Sequence, residues 1–179
     1  MSRASRAAGP CLQAVLLAGL LGGCSFGAVE HRVPLNEADF APYLQDGTAT
    51  IVGETSVRMQ AGDVSTGAES FVYLVPVTPY STEWFEHSIV RGQQIRGYDP
   101  RSLRATRVTV VGADGRFEFR NLPSGDYYLN CAVTRAIQPF RLGPMRLASP
   151  STERVEAYAR VTLKEGEEAR VTVTRPLSP

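Results

Sequence analysis

The chain has 179 residues, with 19 basic against 18 acidic side chains and a formal net charge of +1. It is long enough to bury one real core, and its apolar and charged residues are too interspersed for a disordered tail. No basic patch or run stands out, so nucleic-acid binding has no electrostatic footing.

Residues 1–10 hold Arg3 and Arg6 and no acid, and residues 11–21 are apolar apart from Gln13. Charged then apolar is the order of an export signal. The apolar stretch is too short to cross a bilayer as a helix, which takes ~20 residues. It runs into Leu20-Leu21-Gly22-Gly23-Cys24. Gly22 and Gly23 keep the backbone slim where a signal peptidase must approach, and a thiol is a strong enough nucleophile to take a lipid. The run resembles the lipobox of bacterial lipoproteins. That resemblance implies a cut between Gly23 and Cys24, loss of residues 1–23, and a diacylglyceryl thioether on Cys24 with acylation, such as palmitate, of its new amine. Two or more acyl chains anchor a protein stably where one does not. Ser25, not Asp, follows the cysteine, which in proteobacterial relatives implies sorting to the outer membrane. A plain export signal cut elsewhere and an uncleaved anchor are the alternatives.

Cys11 leaves with the signal and Cys24 carries lipid, so Cys131 has no intramolecular disulfide partner. In its apolar run it reads as a small buried hydrophobe.

Residues 24–46 hold Pro34, Pro42 and scattered charges, and are predicted to be the lipidated N-terminus and a tether, with a short helical turn near 37–43. From Gly47 the signals are those of strands. Residues 48–57 are rich in β-branched side chains. Residues 70–78 alternate with Phe71, Tyr73, Val75 and Val77 on one side, and Val72 and Leu74 make the other side apolar, which predicts a central strand. Residues 106–111 form the next run. Asp114-Gly115 then predicts a hairpin into residues 116–120. Pro123 and Gly125 mark another turn before residues 126–134. Val155, Ala157, Ala159, Val161 and Leu163 alternate with polar residues, and after a turn at 164–167 Val171 and Val173 lie in the closing strand. About seven strands with frequent turns and no βαβ alternation predict an all-β fold, an antiparallel β-sandwich over residues 47–175. Residues 79–105 break the pattern as one long loop and short-helix insertion, with Ser81 as the expected cap of a helix over 82–91.

The stretch DGRFEFRNLPSGDYY, residues 114–128, resembles the carboxypeptidase regulatory-like domain, a transthyretin-like (prealbumin-like) β-sandwich. The shared pattern is a D-G turn, F-x-F, then N-L-P-x-G-x-Y. These residues are architectural. The resemblance implies a fold and a non-catalytic surface module that supports, contacts or binds, and it implies no activity.

Only His31 and His87 are present, and no paired-His zinc pattern, nucleophile elbow or phosphate-binding glycine loop occurs. No catalytic residue, metal site or cofactor is expected. The candidate binding surface is the 79–105 insertion with Tyr80, Trp84, Phe85, His87, Arg91 and Tyr98, since aromatics and arginine on one loop suit a contact surface. The competing reading is that Trp84 and Phe85 only pack the insertion onto the sandwich. Glu83 and His87, at i and i+4, are expected to form a surface pair. The expected partners are the membrane, through the lipid on Cys24, and an envelope protein, with a glycan or peptidoglycan bound by the loop aromatics as the alternative.

Overall fold

The computed structural model describes residues 28–59, 62–137, 141–142, 145–146 and 151–175. Gly23, Cys24, Ser25 and the rest of the expected export signal lie outside them. In chain order the strands are β1 (Val29–Glu30), β2 (Ala49–Thr55), β3 (Val57–Arg58), β4 (Val64–Ser65), β5 (Phe71–Pro76), β6 (Ile95–Arg96), β7 (Arg107–Val110), β8 (Arg116–Leu122), β9 (Gly125–Ile137), β10 (Arg141–Leu142), β11 (Met145–Arg146), β12 (Ser151–Leu163) and β13 (Glu168–Val173). Among the described residues two short α-helices, α1 (Glu37–Phe40) and α2 (Pro79–Trp84), interrupt them. The fold is all-β, as predicted. No helix among the described residues is long and apolar enough to cross a membrane.

Two sheets, in the orders β12-β9-β5-β7 and β13-β2-β8, form the body. Side chains on a strand alternate between its faces, and here every second residue enters one shared core. Val72 and Leu74 of β5, Leu129, Cys131 and Val133 of β9, and Val155 and Ala157 of β12 meet Ile51 of β2, Phe117 and Phe119 of β8, and Val173 of β13. Burial pushes the Cys131 thiol up to about 11, with the Glu156 charge adding to the effect. It therefore stays protonated and unreactive at neutral pH.

The motif of residues 114–128 acquires its mechanics here. Strict alternation after Phe117 and Phe119 would turn Asn121 inward. Instead Ile51 faces Phe119 while Ala49 faces Leu122, so β8 carries one extra residue. Asn121 takes a left-handed φ of 56° at this bulge, and Leu122 recovers the core side, fully buried. Tyr127 then reaches back, and its hydroxyl donates to the Pro123 carbonyl at 2.8 Å. This corner pins the entry into β9. Gly125 is required beneath it, since at φ 146° a Cβ would stand 2.7 Å from the Tyr43 ring.

Three expectations are corrected. The Asp114-Gly115 turn does not close a hairpin within one sheet: β7 pairs with β5, and β8 pairs with β2. The turn carries the chain across the core from one sheet to the other. The closing strand is not antiparallel either, because the turn after β12 also crosses the sandwich and β13 runs parallel to β2. Alternation decides which side of a strand is buried, and it is silent on which neighbour the strand joins.

The third correction concerns residues 24–46. From Ala28 on they are not a free tether. β1 pairs in parallel with β6, Asn36 caps α1 by accepting from the Ala38 amide, and Phe40 is buried against Tyr80 and Ala105, with Val33 and Leu35 packed alongside. Prolines and charges make the stretch resemble a linker, but three apolar side chains among them find a common hydrophobic seat. The helical turn near 37–43 is present, as α1 followed by a 3-10 turn over Ala41–Leu44.

Candidate functional site

The insertion begins with a well-made helix start. Thr78, not Ser81, is the cap: its hydroxyl accepts from the Ser81 amide at 3.1 Å, and Ser81 Oγ accepts from the Thr78 amide at 2.9 Å. Pro79 follows at the first helical position, where a missing N–H costs nothing. The Thr-Pro-x-Ser order is the signal for this cap. Beyond α2 the coil widens to a π-type turn over Phe85–Val90 and ends at Gly92, which takes a φ of 63°.

The predicted surface residues part company at this point. Phe85 is 4% exposed; it stacks on Tyr128 of β9 at 4.0 Å and meets Tyr158 of β12 edge-on. Thr82 adds a hydroxyl contact to Tyr128 at 3.2 Å. Tyr80 is 2% exposed, clasped by His31, Phe40 and Tyr98. These two aromatics pack the insertion and offer nothing to a partner, which corrects that part of the expectation. Trp84 and Tyr98 are half-buried neighbours 6.0 Å apart. Half-buried His87 engages Gln93 through Nδ1 at 2.7 Å, and Arg91 is exposed.

Glu83 is the acid of the insertion that holds the N-terminal segment, and its hydrogen-bond partners lie there, not at the His87 of the i, i+4 spacing. Its carboxylate accepts from the Val33 amide at 2.8 Å and from the Arg32 amide at 3.1 Å. The His31 Nδ1 lies 2.8 Å away, although the carboxylate is off the ring N–H direction and no hydrogen bond forms. The His31 side chain is thus buried in this clamp, stacked on Tyr80 at 4.0 Å, not placed in a free tether. Burial acts against the Glu83 charge, but the Val33 and Arg32 amides and the His31 and His87 charges outweigh it and hold the pKa below its ordinary value. A carboxylate with a lowered folded pKa stabilises at pH above the ordinary Glu value, and that contribution disappears as pH falls through the folded one. Glu83→Ala is expected to free residues 28–33 at a cost of about 2 kcal/mol, seen as roughly 30-fold faster amide exchange at Arg32 and Val33. In the native chain the same loosening is expected as the pH is lowered from the ordinary Glu value through the lower folded one. Unchanged exchange at those two amides would rule the clamp out.

The insertion covers only part of the outer face of the four-stranded sheet. On the remainder, Phe71 faces Val110 and Tyr73 faces Val108 across β5 and β7, and all four are exposed, Phe71 by 55%. Among the described residues β7 is paired only with β5, which leaves it the edge strand of its sheet with one side open. Where the π-type turn of the insertion meets β12, a groove of about 290 Å³ gathers Arg91 with Arg154, Glu156, Tyr158 and Arg175. A second groove of about 330 Å³ crosses the outer face of the three-stranded sheet, lined by Glu54, Arg116, Arg170 and Thr172 without an aromatic side chain. No three His, Cys, Asp or Glu side chains gather as a metal site would need among the described residues.

The fold and these surfaces define an all-β domain with a packed insertion. No family model and no curated protein matches the chain. Among solved structures it is similar to a Pseudomonas aeruginosa protein described as a "putative carbohydrate binding protein", at 23% identity and a TM-score of 0.65, over 80% of this chain and 100% of that one. At that identity the likeness is one of fold.

Proposed function

We propose that the chain is a bacterial lipoprotein, held by lipid on Cys24 at the outer membrane after loss of residues 1–23. Its carboxypeptidase regulatory-like, transthyretin-like sandwich, about seven strands in its body, acts as a non-catalytic contact module for an envelope protein. One observation carries the contact role: the exposed row of Phe71, Tyr73, Val108 and Val110 beside the open edge of β7. Exposed apolar rows and unpaired strand edges are liabilities that folded proteins usually cover or blunt. A partner strand laid along β7 would pair its free N–H and C=O groups and bury the row at the same time. Acid–base chemistry draws no support from the insertion, because Glu83 is engaged by the N-terminal segment and His87 by Gln93.

The test is crosslinking in intact cells. Phe71→Ser combined with Tyr73→Ser is expected to abolish the crosslinked partner while shifting stability by less than about 1 kcal/mol, as exposed positions do. Retention of the partner would remove this surface from consideration. Labelled fatty acid is expected to enter the native chain and not Cys24→Ser.

The second reading is a glycan ligand. It is favoured by the groove of Arg91, Arg154, Glu156, Tyr158 and Arg175, where planar cations and a ring meet in one concavity near the lower size limit of ligand sites. The carbohydrate description of the Pseudomonas protein points the same way. Co-sedimentation with purified acidic envelope polysaccharide, lost on Arg91→Ala with Arg154→Ala and kept in the Phe71/Tyr73 variant, would select it over the protein partner.

A further inference from the structure

We propose that the insertion and the N-terminal strip clamped to it form the membrane-facing side of this protein, and that the three-stranded sheet is held away from the bilayer. The inference rests on the lipid anchor at Cys24 and adds an orientation to it.

The clamp sets the geometry. Ala28 is the first described residue, and from Val29 the chain is bound: the Val29 amide donates to the Gln94 carbonyl at 2.8 Å and the His31 amide to the Arg96 carbonyl at 2.9 Å. Glu83 holds the next two amides. Between the lipid on Cys24 and Ala28 stand only Ser25, Phe26 and Gly27. Four Cα–Cα steps span at most about 14 Å.

The strip lies on the far side of the insertion from the sandwich. Phe85 points into the four-stranded sheet, stacked on Tyr128. Glu83 precedes it by two positions, about 200° round a helix of 3.6 residues per turn, and so points outward. The layers therefore run strip, insertion, four-stranded sheet, three-stranded sheet. Packed sheets lie about 10 Å apart and a helix with its side chains is about 10–12 Å across. The strip thus stands more than about 20 Å from the three-stranded sheet, farther than a 14 Å tether reaches. The molecule cannot turn over to lay that sheet, with its Arg116, Glu118, Arg120 and Arg170, on the lipid. The side that does face the bilayer exposes Arg32 on the strip and Arg96 on the paired β6, cations suited to anionic headgroups, with Glu30 offsetting part of that charge.

Lipid-bearing full-length protein, purified from bacterial membranes and reconstituted into phosphatidylethanolamine–phosphatidylglycerol vesicles, provides the test. Cys24 is blocked by lipid and Cys131 is buried, so Arg96→Cys and Arg170→Cys each offer a single reactive site for a fluorophore. A quencher on the lipid headgroups is expected to quench the probe at 96 several-fold more than the probe at 170. In a Glu83→Ala background the free tether grows by up to six residues, and the contrast is expected to shrink. Equal or reversed quenching in protein shown by intact mass to carry the lipid overturns the orientation and leaves the anchor standing. An unchanged contrast in Glu83→Ala overturns the clamp as its cause. A mass without lipid at Cys24 overturns the anchor and the orientation together.

Discussion

Phe85→Ala is expected to cost about 3–4 kcal/mol and to loosen the insertion while the two sheets stay folded. Phe85 is the side chain through which the insertion grips the sandwich: stacked on Tyr128 at 4.0 Å with an interplanar angle of 9°, edge-on to Tyr158 at 5.5 Å, and closed by Val75, with Val77 and Ile89 alongside. This satellite cluster is separate from the core between the sheets, so a cavity there does not propagate through the body. Tyr128 is also held by Arg160, whose guanidinium carbon lies 5.9 Å from the ring centre, and will not readily collapse into the space. Hydrogen exchange should show protection lost over residues 79–98 and kept over β9 and β12, alongside a lowered urea midpoint. Uniform loss of protection across both sheets would contradict a separable insertion.

Gly53→Ala should do comparable damage with a far smaller change in volume. Gly53 is buried in β2 directly across from Phe117 of β8, and the ring lies over the glycine so closely that a built Cβ would stand 2.1 Å from Phe117 Cζ. The β2 strand cannot retreat, because it is hydrogen-bonded to β8 on one side and β13 on the other. The expected cost is about 3 kcal/mol or more, at the upper end for overpacking a core. Phe117→Leu in the same chain should recover part of it, since residues in contact couple. Additive losses in the double variant, measured by thermal denaturation, would show that the clash is not with that ring.

Phe85 and Gly53 differ in how far their contacts can be read along the chain. The F-x-F of β8 and the alternating residues of β2, β9 and β12 mark the core in the bare order of residues, because strand periodicity assigns side chains to faces. The turn residues Asn121, Gly125 and Tyr127 likewise announce a corner, since each serves a backbone need met within a few positions. Gly53 gives no sign, as its partner is far away along the chain. The candidate site is less legible still. Tyr80, Trp84, Phe85 and Tyr98 read as one aromatic surface, yet a linear run cannot say that Phe85 faces the sheet while Tyr80 faces the N-terminal segment. Phe71 and Tyr73 read as buried because apolar residues on both faces of a strand usually mean two covered faces; the insertion covers only one end of that outer face.

Local chemistry in the chain is sufficient to specify an all-β body outside the 79–105 insertion, where most of its strands turn, and which alternating side chains are apolar. These features depend on neighbours two to four positions apart, and the order of residues contains them outright. Tertiary structure alone decides that the Asp114-Gly115 turn crosses between sheets, that β13 runs parallel to β2, and that Glu83 binds the amides of Arg32 and Val33 some fifty positions away. Such pairings are chosen by competition among distant partners for the same buried surface and hydrogen bonds, and nothing short of the folded chain settles that competition.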